Sequence, residues 1–188
     1  DRFRYKIALP APSLYGQFKN LTNIHSVPYG LKCMGFNEVF DVARGADIVS
    51  RVVRDKLNEP DCPRPLISSA CPAVVRLIQI RFPELLGNIV DVRSPMEVAA
   101  SVARREFCEK NRVSAWEVGC FFITPCAAKA TAIRKPIGHR ESALDGVKNG
   151  VPSGLDANED YSKKLAVLND EYDKQVNERA KFPAQSAR

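Results

Sequence analysis

The sequence predicts an α/β fold, in which an open and mostly parallel sheet of about four strands carries helices on both faces, followed by a long C-terminal helix. The first observation is that short apolar runs alternate with longer segments of helical periodicity, the order expected when helices connect parallel strands. The second is that two of these runs end in a cysteine beside a proline, directly before a helical pattern. The third is length, because 188 residues are enough for one domain with a hydrophobic core.

Short runs of apolar residues predict the strands, and a 3.6-residue periodicity predicts the helices between them. The strands are expected at residues 5–9, 38–42, 66–69 and 118–124. Helices are expected at residues 24–34, 46–57 and 73–86, with a further one from Ser94 to about Cys108. At this last start, Ser94 is expected to cap the helix, Pro95 to fix its first turn, and Glu97 to complete a capping box.

The sequence changes character after residue 147. Residues 1–147 are predicted as the α/β unit, residues 148–158 as a linker rich in Gly, Asn, Pro and Asp, and residues 159–188 as a long charged helix with a tail. Within residues 159–181, one narrow apolar stripe is formed by Leu165, Leu168, Tyr172 and Val176. Such a helix is expected to pack on this domain or on a partner.

Composition excludes several classes of function. The net charge of +6, from 28 basic and 22 acidic residues, is spread along the chain, so no nucleic-acid partner is expected. No stretch of 18 apolar residues occurs, so no membrane span is expected. Six cysteines without a recognisable export signal favour a cytoplasmic location, and metal or redox chemistry over disulfides. The absence of a C-x-x-C pair argues against a structural zinc site.

Two cysteines are the most informative residues of the sequence. Cys71 follows the run at 66–69 and precedes Pro72, whereas Cys126 follows the run at 118–124 and Pro125. In an open α/β sheet, ligands bind beyond the carboxyl ends of the strands, and a helix amino terminus there stabilises negative charge. Two such thiols predict a shared soft ligand, either iron or an iron–sulfur cluster. The alternative is that both are ordinary buried cysteines, since a free cysteine is often a core residue.

The other cysteines and the single tryptophan have simpler interpretations. Cys33, Cys108 and Cys120 are expected to fill core positions, and Cys62 lies in a proline-rich loop where its thiol is expected to be exposed. Trp116 is expected to anchor the core or an edge of the sheet, because it directly precedes a predicted strand.

Seven short motifs, taken together and in order, resemble the catalytic domain of the [FeFe]-hydrogenases, which is the C-terminal domain of the large subunit. Each motif alone is weak, and the resemblance covers about residues 5–147. The motifs are ALPAPS at 8–13, GFNEVFD at 35–41, GAD at 45–47, SACP at 69–72, SPME at 94–97, TPCAAK at 124–129 and ALDGV at 143–147.

The resemblance implies an H-cluster, in which a 4Fe-4S cubane is joined through a cysteine to a two-iron centre with carbonyl, cyanide and dithiolate ligands. This cofactor interconverts protons, electrons and hydrogen. By resemblance, Cys71 and Cys126 are cubane ligands, and Lys129 hydrogen-bonds a cyanide of the two-iron centre. The other residues that would line the two-iron centre are Ala11, Pro12, Ser13, Thr124 and Pro125.

Two departures from the family pattern concern proton transfer. Ala70 stands where the fast enzymes of the family have a cysteine that passes protons to the active site, and alanine has no proton to pass. On the helix after the Gly-Ala-Asp motif, Val52, Val53 and Lys56 occupy the face where those enzymes carry relay glutamates. Both departures imply slow turnover, and they resemble the sensory, regulatory branch of the family.

A third departure is that the family's later pair of cluster cysteines, in a C-x-x-x-C arrangement, is absent from the sequence. Expected partners are therefore hydrogen and protons, an electron-transfer iron–sulfur domain or subunit, and a partner chain or further segment that supplies the remaining cysteines. The alternative is a non-catalytic scaffold or interaction protein derived from the hydrogenase lobe. A weaker alternative is an iron–sulfur electron carrier, although such modules usually hold their cysteines in one compact run.

Overall fold

The computed structural model describes residues 2–19, 21–136 and 141–149. Its sheet contains four strands that all pair in parallel, in the spatial order β2-β1-β3-β4. The strands are β1 (Tyr5–Pro10), β2 (Glu38–Val39), β3 (Val118–Thr124) and β4 (Gly146–Asn149). The predicted α/β class with a parallel four-stranded sheet is confirmed.

The described part of the chain contains six α-helices, joined to the strands by short loops and two 3₁₀ turns. The helices are α1 (Pro12–Tyr15), α2 (Ser26–Cys33), α3 (Val42–Leu57), α4 (Pro72–Arg81), α5 (Pro95–Asn111) and α6 (Ala127–Arg134), and the 3₁₀ turns are Pro83–Asn88 and Ala115–Glu117. Helix α4 ends earlier than expected because Pro83 lacks the backbone N–H that would continue it. None of these helices has both the length and the apolar character needed to cross a bilayer.

Helices cover both faces of the sheet, as predicted. On one face, Ile7, Leu9 and Phe122 belong to a buried cluster with apolar residues of α5. On the other face, Ala8 and Ile123 belong to a second cluster with residues of α1 and α2. Because successive side chains of a strand point to opposite faces, the continuous apolar runs of β1 and β3 supply both clusters.

The prediction of a sheet strand at residues 66–69 is wrong. Ile67 forms only an isolated parallel bridge with Ile89. Its N–H donates to the Asn88 carbonyl at 2.8 Å, and its own carbonyl accepts from the Val90 N–H at 2.8 Å. Since both backbone groups are used by the segment before α5, Ile67 is tied to that segment and does not join the sheet.

The fourth strand is β4, which pairs with the carboxyl half of β3 from Phe121 to Thr124. Its last two residues, 148 and 149, fall in the segment predicted as a linker. The rest of that segment and the helix predicted at 159–181 lie outside the described residues.

The predicted capping box at the start of α5 is wrong. Ser94 is the N-cap residue, but its side chain makes no capping hydrogen bond. The Glu97 carboxylate is instead used by the segment before β4, where it accepts from Ser142 Oγ at 2.6 Å and from the Ala143 N–H at 2.5 Å. Because the Glu97 carboxylate accepts these two long-range hydrogen bonds, it does not accept one from the Ser94 N–H, as a capping box requires.

Candidate metal centre

The carboxyl ends of β1 and β3 bring two of the predicted site segments side by side. Pro10 lies opposite Ile123 in the sheet, and the Ala11 N–H donates to the Ile123 carbonyl at 2.9 Å. This bond places residues 11–13, where α1 begins, next to the loop that follows Thr124. Ala11 is buried, whereas Pro12 and Ser13 are exposed at the surface of the lobe.

Cys126 is held at the amino terminus of α6. Thr124 is fully buried, and its Oγ1 accepts from the Cys126 N–H at 3.1 Å. This short turn gives Cys126 an extended backbone, with φ −87° and ψ 110°, so that it becomes the N-cap residue of α6. The Cys126 side chain and the neighbouring Pro125 are half-buried.

Lys129 lies in the first turn of α6 and is half-buried. In the part of the chain that the structure describes, its ammonium forms no hydrogen bond or ion pair. A lysine with three unused donors suits a compact anionic ligand, but it also suits contact with water.

Cys71 occupies the equivalent position in α4. Its backbone is extended, with φ −105° and ψ 106°, and it is the N-cap residue, followed by Pro72 at the first helical position. The Cys71 side chain is exposed. Helices α4 and α6 contact each other, so the two helices that begin at the predicted cubane ligands form one packed pair.

Ala70 is half-buried beside a cavity of about 450 Å³. The cavity lies between α4, the start of α5 and the end of α6, and its walls include Ala70, Ser94 and Glu97. Ser94 Oγ is buried and has no hydrogen-bond partner among the described residues. Ala70 therefore lines a space with the Ser94 hydroxyl group at its wall.

The described residues provide two thiols for a cluster. Among these residues, no group of three or more histidine, cysteine, aspartate or glutamate side chains is placed to hold a metal ion. A cubane needs four ligands, so the described residues do not fit a complete H-cluster. The two thiols at helix amino termini are those of Cys71 and Cys126.

The remaining cysteines differ in their environments. Cys120 is buried on β3, as expected, and this burial raises the pKa of its thiol to about 12. Cys108 is half-buried, and burial raises its pKa as well. The expectation that Cys33 fills the core is wrong, because it is exposed on α2, and Cys62 is only partly exposed.

Trp116 does not anchor the core, because 77% of its surface is exposed. It lies at the amino edge of the sheet, where a groove is formed with Arg2, Arg4 and Lys6. Arg4 also pairs with Glu117 at 3.5 Å. The sequence did not reveal this group, because Trp116 is far from the three basic residues along the chain.

Asp145, in the ALDGV motif at 143–147, connects three elements of the fold. Its carboxylate accepts from the Cys120 N–H at 2.8 Å and from the Arg104 guanidinium. Arg104 also donates to the carbonyls of Val118 and Ala143, at 3.2 and 3.0 Å. This network connects α5, β3 and the residues that lead into β4.

A sequence profile of the family described as "Iron only hydrogenase large subunit, C-terminal domain" matches residues 4–147. The chain belongs to this family. The match includes Cys71 and Cys126, and it ends within β4.

Several proteins are similar to this chain in sequence. Iron hydrogenase 1 of Clostridium pasteurianum is 24% identical over 152 residues, which are 76% of this chain and 26% of the relative. The large subunit of the periplasmic [Fe] hydrogenase of Nitratidesulfovibrio vulgaris is 25% identical over 65% of this chain and 32% of the relative. A cytosolic Fe-S cluster assembly factor of Yarrowia lipolytica is 24% identical over 53% of this chain and 20% of the relative. The chain thus spans between a fifth and a third of the length of these relatives.

Solved structures share the fold of this hydrogenase-family lobe. A variant of an [FeFe]-hydrogenase from Chlamydomonas reinhardtii aligns with a TM-score of 0.66 at 22% identity, over 78% of this chain and 40% of that one. A structure from a study of oxygen inactivation at the H-cluster of an [FeFe]-hydrogenase aligns with a TM-score of 0.61 at 21% identity. The shared fold extends over less than half of each of these hydrogenase chains.

Proposed function

We propose that this chain is the first lobe of an H-cluster domain and supplies two of the four cubane thiolates, Cys71 and Cys126. The observation that carries the proposal is that both cysteines are N-cap residues of helices that pack against each other. The first turn of a helix leaves backbone N–H groups unpaired and has a partial positive charge. Both features favour an anionic thiolate, or a cluster sulfur, at these two positions.

In this proposal, the neighbouring loops surround the two-iron centre that the H-cluster would supply for hydrogen chemistry. Ala11, Pro12 and Ser13 come from the loop after β1, and Thr124 and Pro125 come from the loop after β3. The buried Thr124 fixes the turn that leads into α6 through its bond to the Cys126 N–H. Among the described residues the ammonium of Lys129 has no partner, so in this proposal it donates to a cyanide ligand.

The rest of the site has to come from outside the described residues, because they contain two thiols at the site and a cubane needs four ligands. We assign the remaining cysteines to a second lobe, in a longer protein or a partner chain. Hydrogen and protons are then the substrates, and an electron-transfer iron–sulfur domain or subunit is the redox partner. A cytoplasmic location is part of the proposal, because a cluster of this kind favours a reducing compartment.

The direct test measures iron and acid-labile sulfide per chain, after anaerobic purification from cells that also make the H-cluster maturation proteins. We expect Cys71→Ser and Cys126→Ser each to lower the bound iron and sulfide by at least half. Cys33→Ser is the matched control, because Cys33 is an exposed thiol on α2, and it should leave both contents unchanged. Equal iron in all four proteins would contradict the ligand roles of Cys71 and Cys126.

We further propose that turnover is slow and of the sensory type, because Ala70 lacks the thiol that relays protons. In the complete, cofactor-loaded assembly, Ala70→Cys should raise hydrogen turnover by about a hundredfold, the lower end of the range for a positioned proton donor. Ser68→Cys places the same thiol two residues away at an exposed position, and we expect no gain from it. A missing gain with Ala70→Cys, in an assembly that retains its full iron content, would refute the lost-relay account.

The second candidate function is a non-catalytic scaffold that keeps the hydrogenase fold. Two observations favour it, namely the incomplete donor set and a relative named as an assembly factor. The iron measurement separates the two candidates. If the unaltered chain binds no iron, alone or with a second lobe, the scaffold is favoured.

A further inference from the structure

The groove beside Trp116 has a volume of about 550 Å³ and lies at the amino edge of the sheet. Strand β3 connects this groove with the candidate metal centre, because Trp116 and Glu117 directly precede the strand and Cys126 follows its other end. A strand of seven residues is about 20 Å long. A molecule in the groove can therefore bind without touching the candidate metal centre. We call this space the Trp116 groove.

Trp116 is held outward at the wall of the groove, with 77% of its surface exposed. It is the middle residue of the 3₁₀ turn Ala115–Glu117. The Ser114 N–H donates to the Glu117 carboxylate at 3.1 Å, and the Glu117 N–H donates to the Ser114 carbonyl at 3.0 Å. Because these two bonds fix the turn, a partner that packs on the indole ring has little conformational freedom to remove.

The charge of the groove is positive. The charged residues among its described walls are Arg2, Arg4, Lys6 and Glu117, which give a net charge of +2. Glu117 lies 3.5 Å from Arg4, and 71% of the Arg4 side chain is exposed. The groove therefore combines an exposed apolar ring with a positive field.

The basic residues are attached to ordered parts of the lobe. The Arg2 guanidinium lies 5.2 Å from the centroid of the Phe3 ring, and that ring packs edge to face against Phe121 of β3 at 6.1 Å. The Lys6 N–H donates to Asn37 Oδ1 at 2.8 Å, and the Asn37 N–H donates to the Lys6 carbonyl at 2.8 Å. The walls of the groove thus exist before any partner binds.

This combination of residues favours a protein partner over a nucleic acid. Tryptophan and arginine are the residue types most enriched among the side chains that carry the energy of protein–protein interfaces. Single-stranded nucleic acids instead stack successive bases on several aromatic rings. Of the described residues in the groove, Trp116 alone presents a largely exposed ring, and the Glu117 carboxylate repels phosphate groups. The partner that matches is acidic, with an apolar side chain for the indole ring.

We propose that the Trp116 groove is a docking site for an acidic protein segment. An apolar or aromatic side chain of that segment packs on Trp116, and its carboxylates face Arg2, Arg4 and Lys6. This inference does not depend on the hydrogenase function, because the groove and Cys126 lie at opposite ends of β3.

The first test uses the fluorescence of Trp116, which is the single tryptophan of the sequence and so reports on this groove alone. The ligand is the peptide Glu-Glu-Phe-Glu-Glu, blocked at both ends. We expect a saturable shift of the emission to shorter wavelength, because the indole ring leaves water. Two control peptides separate the contributions, since Gln-Gln-Phe-Gln-Gln lacks the charge and Glu-Glu-Ala-Glu-Glu lacks the ring. Each should bind at least tenfold more weakly.

The second test measures the affinity of the same peptide, carrying a fluorescent label, by anisotropy with variants of the full chain. Arg2→Glu and Trp116→Ala should each weaken binding at least tenfold. Arg54→Glu makes the same charge reversal at an exposed position of α3, and Phe82→Ala removes another exposed ring, so both should leave the affinity unchanged.

Three outcomes would overturn the proposal. The first is that the unaltered chain shows no saturable binding of the acidic peptide. The second is that Arg2→Glu or Trp116→Ala binds it as tightly as the unaltered chain does. The third is that a single-stranded oligouridylate of the same charge binds more tightly than the peptide, which would assign the groove to a nucleic acid.

Discussion

Replacement of Gly45 by alanine is expected to lower the free energy of unfolding by about 2 kcal/mol, even though alanine is the better helix former. Gly45 lies in α3, where that helix crosses the start of α5. A Cβ atom at this position would clash with the Pro95 carbonyl oxygen and would lie 2.8 Å from the Ala99 backbone nitrogen. Both are backbone atoms, so the two helices would have to move apart to make room for the methyl group.

Gly30→Ala is the matched control for this prediction. Gly30 also lies within a helix, α2, but a Cβ atom there would have no neighbour within 4 Å. Alanine should therefore raise stability at position 30, by up to about 1 kcal/mol. Urea unfolding with linear extrapolation gives both values. Similar shifts of the same sign for the two variants would show that Gly45 is not a packing contact.

The Gly45 contact explains part of the Gly-Ala-Asp motif without any catalytic role. Close approach of α3 fixes the position of Pro95, and hence of Ser94 and Glu97 at the wall of the cavity beside Ala70. A motif quoted for its resemblance to an enzyme family can thus act through packing.

The two long strands of the sheet, and the places of Cys71 and Cys126 before helices, could be predicted because they depend on local signals. Apolar runs of β1 and β3 are long enough to be recognised, and Pro72 and Pro125 mark the turns beside the two cysteines. The fourth strand could not be predicted in this way. Gly146–Asn149 is short and not apolar in pattern, and it becomes a strand by pairing with β3.

The long-range contacts of charged side chains could not be predicted from the sequence either. The position of Glu97 predicts that it completes a capping box. Its carboxylate instead accepts hydrogen bonds from residues 142 and 143, more than forty positions away. Ser94 is left with a buried hydroxyl that has no partner in the described structure. Long-range hydrogen bonds of this kind have no period in the sequence, so only the folded chain reveals them.

The second large effect is expected for Asp145→Ala, which should lower the free energy of unfolding by about 2–3 kcal/mol. About three-quarters of each of the Asp145 and Arg104 side chains is buried, with 24% and 22% exposed. The variant leaves the Arg104 guanidinium without its carboxylate and the Cys120 N–H without its acceptor. Asp145→Asn, which keeps an acceptor oxygen for Cys120 but removes the charge, should recover part of this loss.

An exposed ion pair provides the control for the Asp145 prediction. Asp47 and Arg51 on α3 lie 2.8 Å apart, with 63% and 72% of their side chains exposed, so Asp47→Ala should change stability by less than about 0.5 kcal/mol.

A second measurement follows thiol alkylation in the native protein. The Cys120 thiol is buried, with a pKa of about 12, so it should react with iodoacetamide only after the loss of Asp145 loosens β3. Equal stability losses in Asp145→Ala and Asp47→Ala, with Cys120 protected in both, would mean that the network does not hold β3. If the network does hold β3, it also fixes the turn from Thr124 to Cys126, because that turn continues directly from the strand.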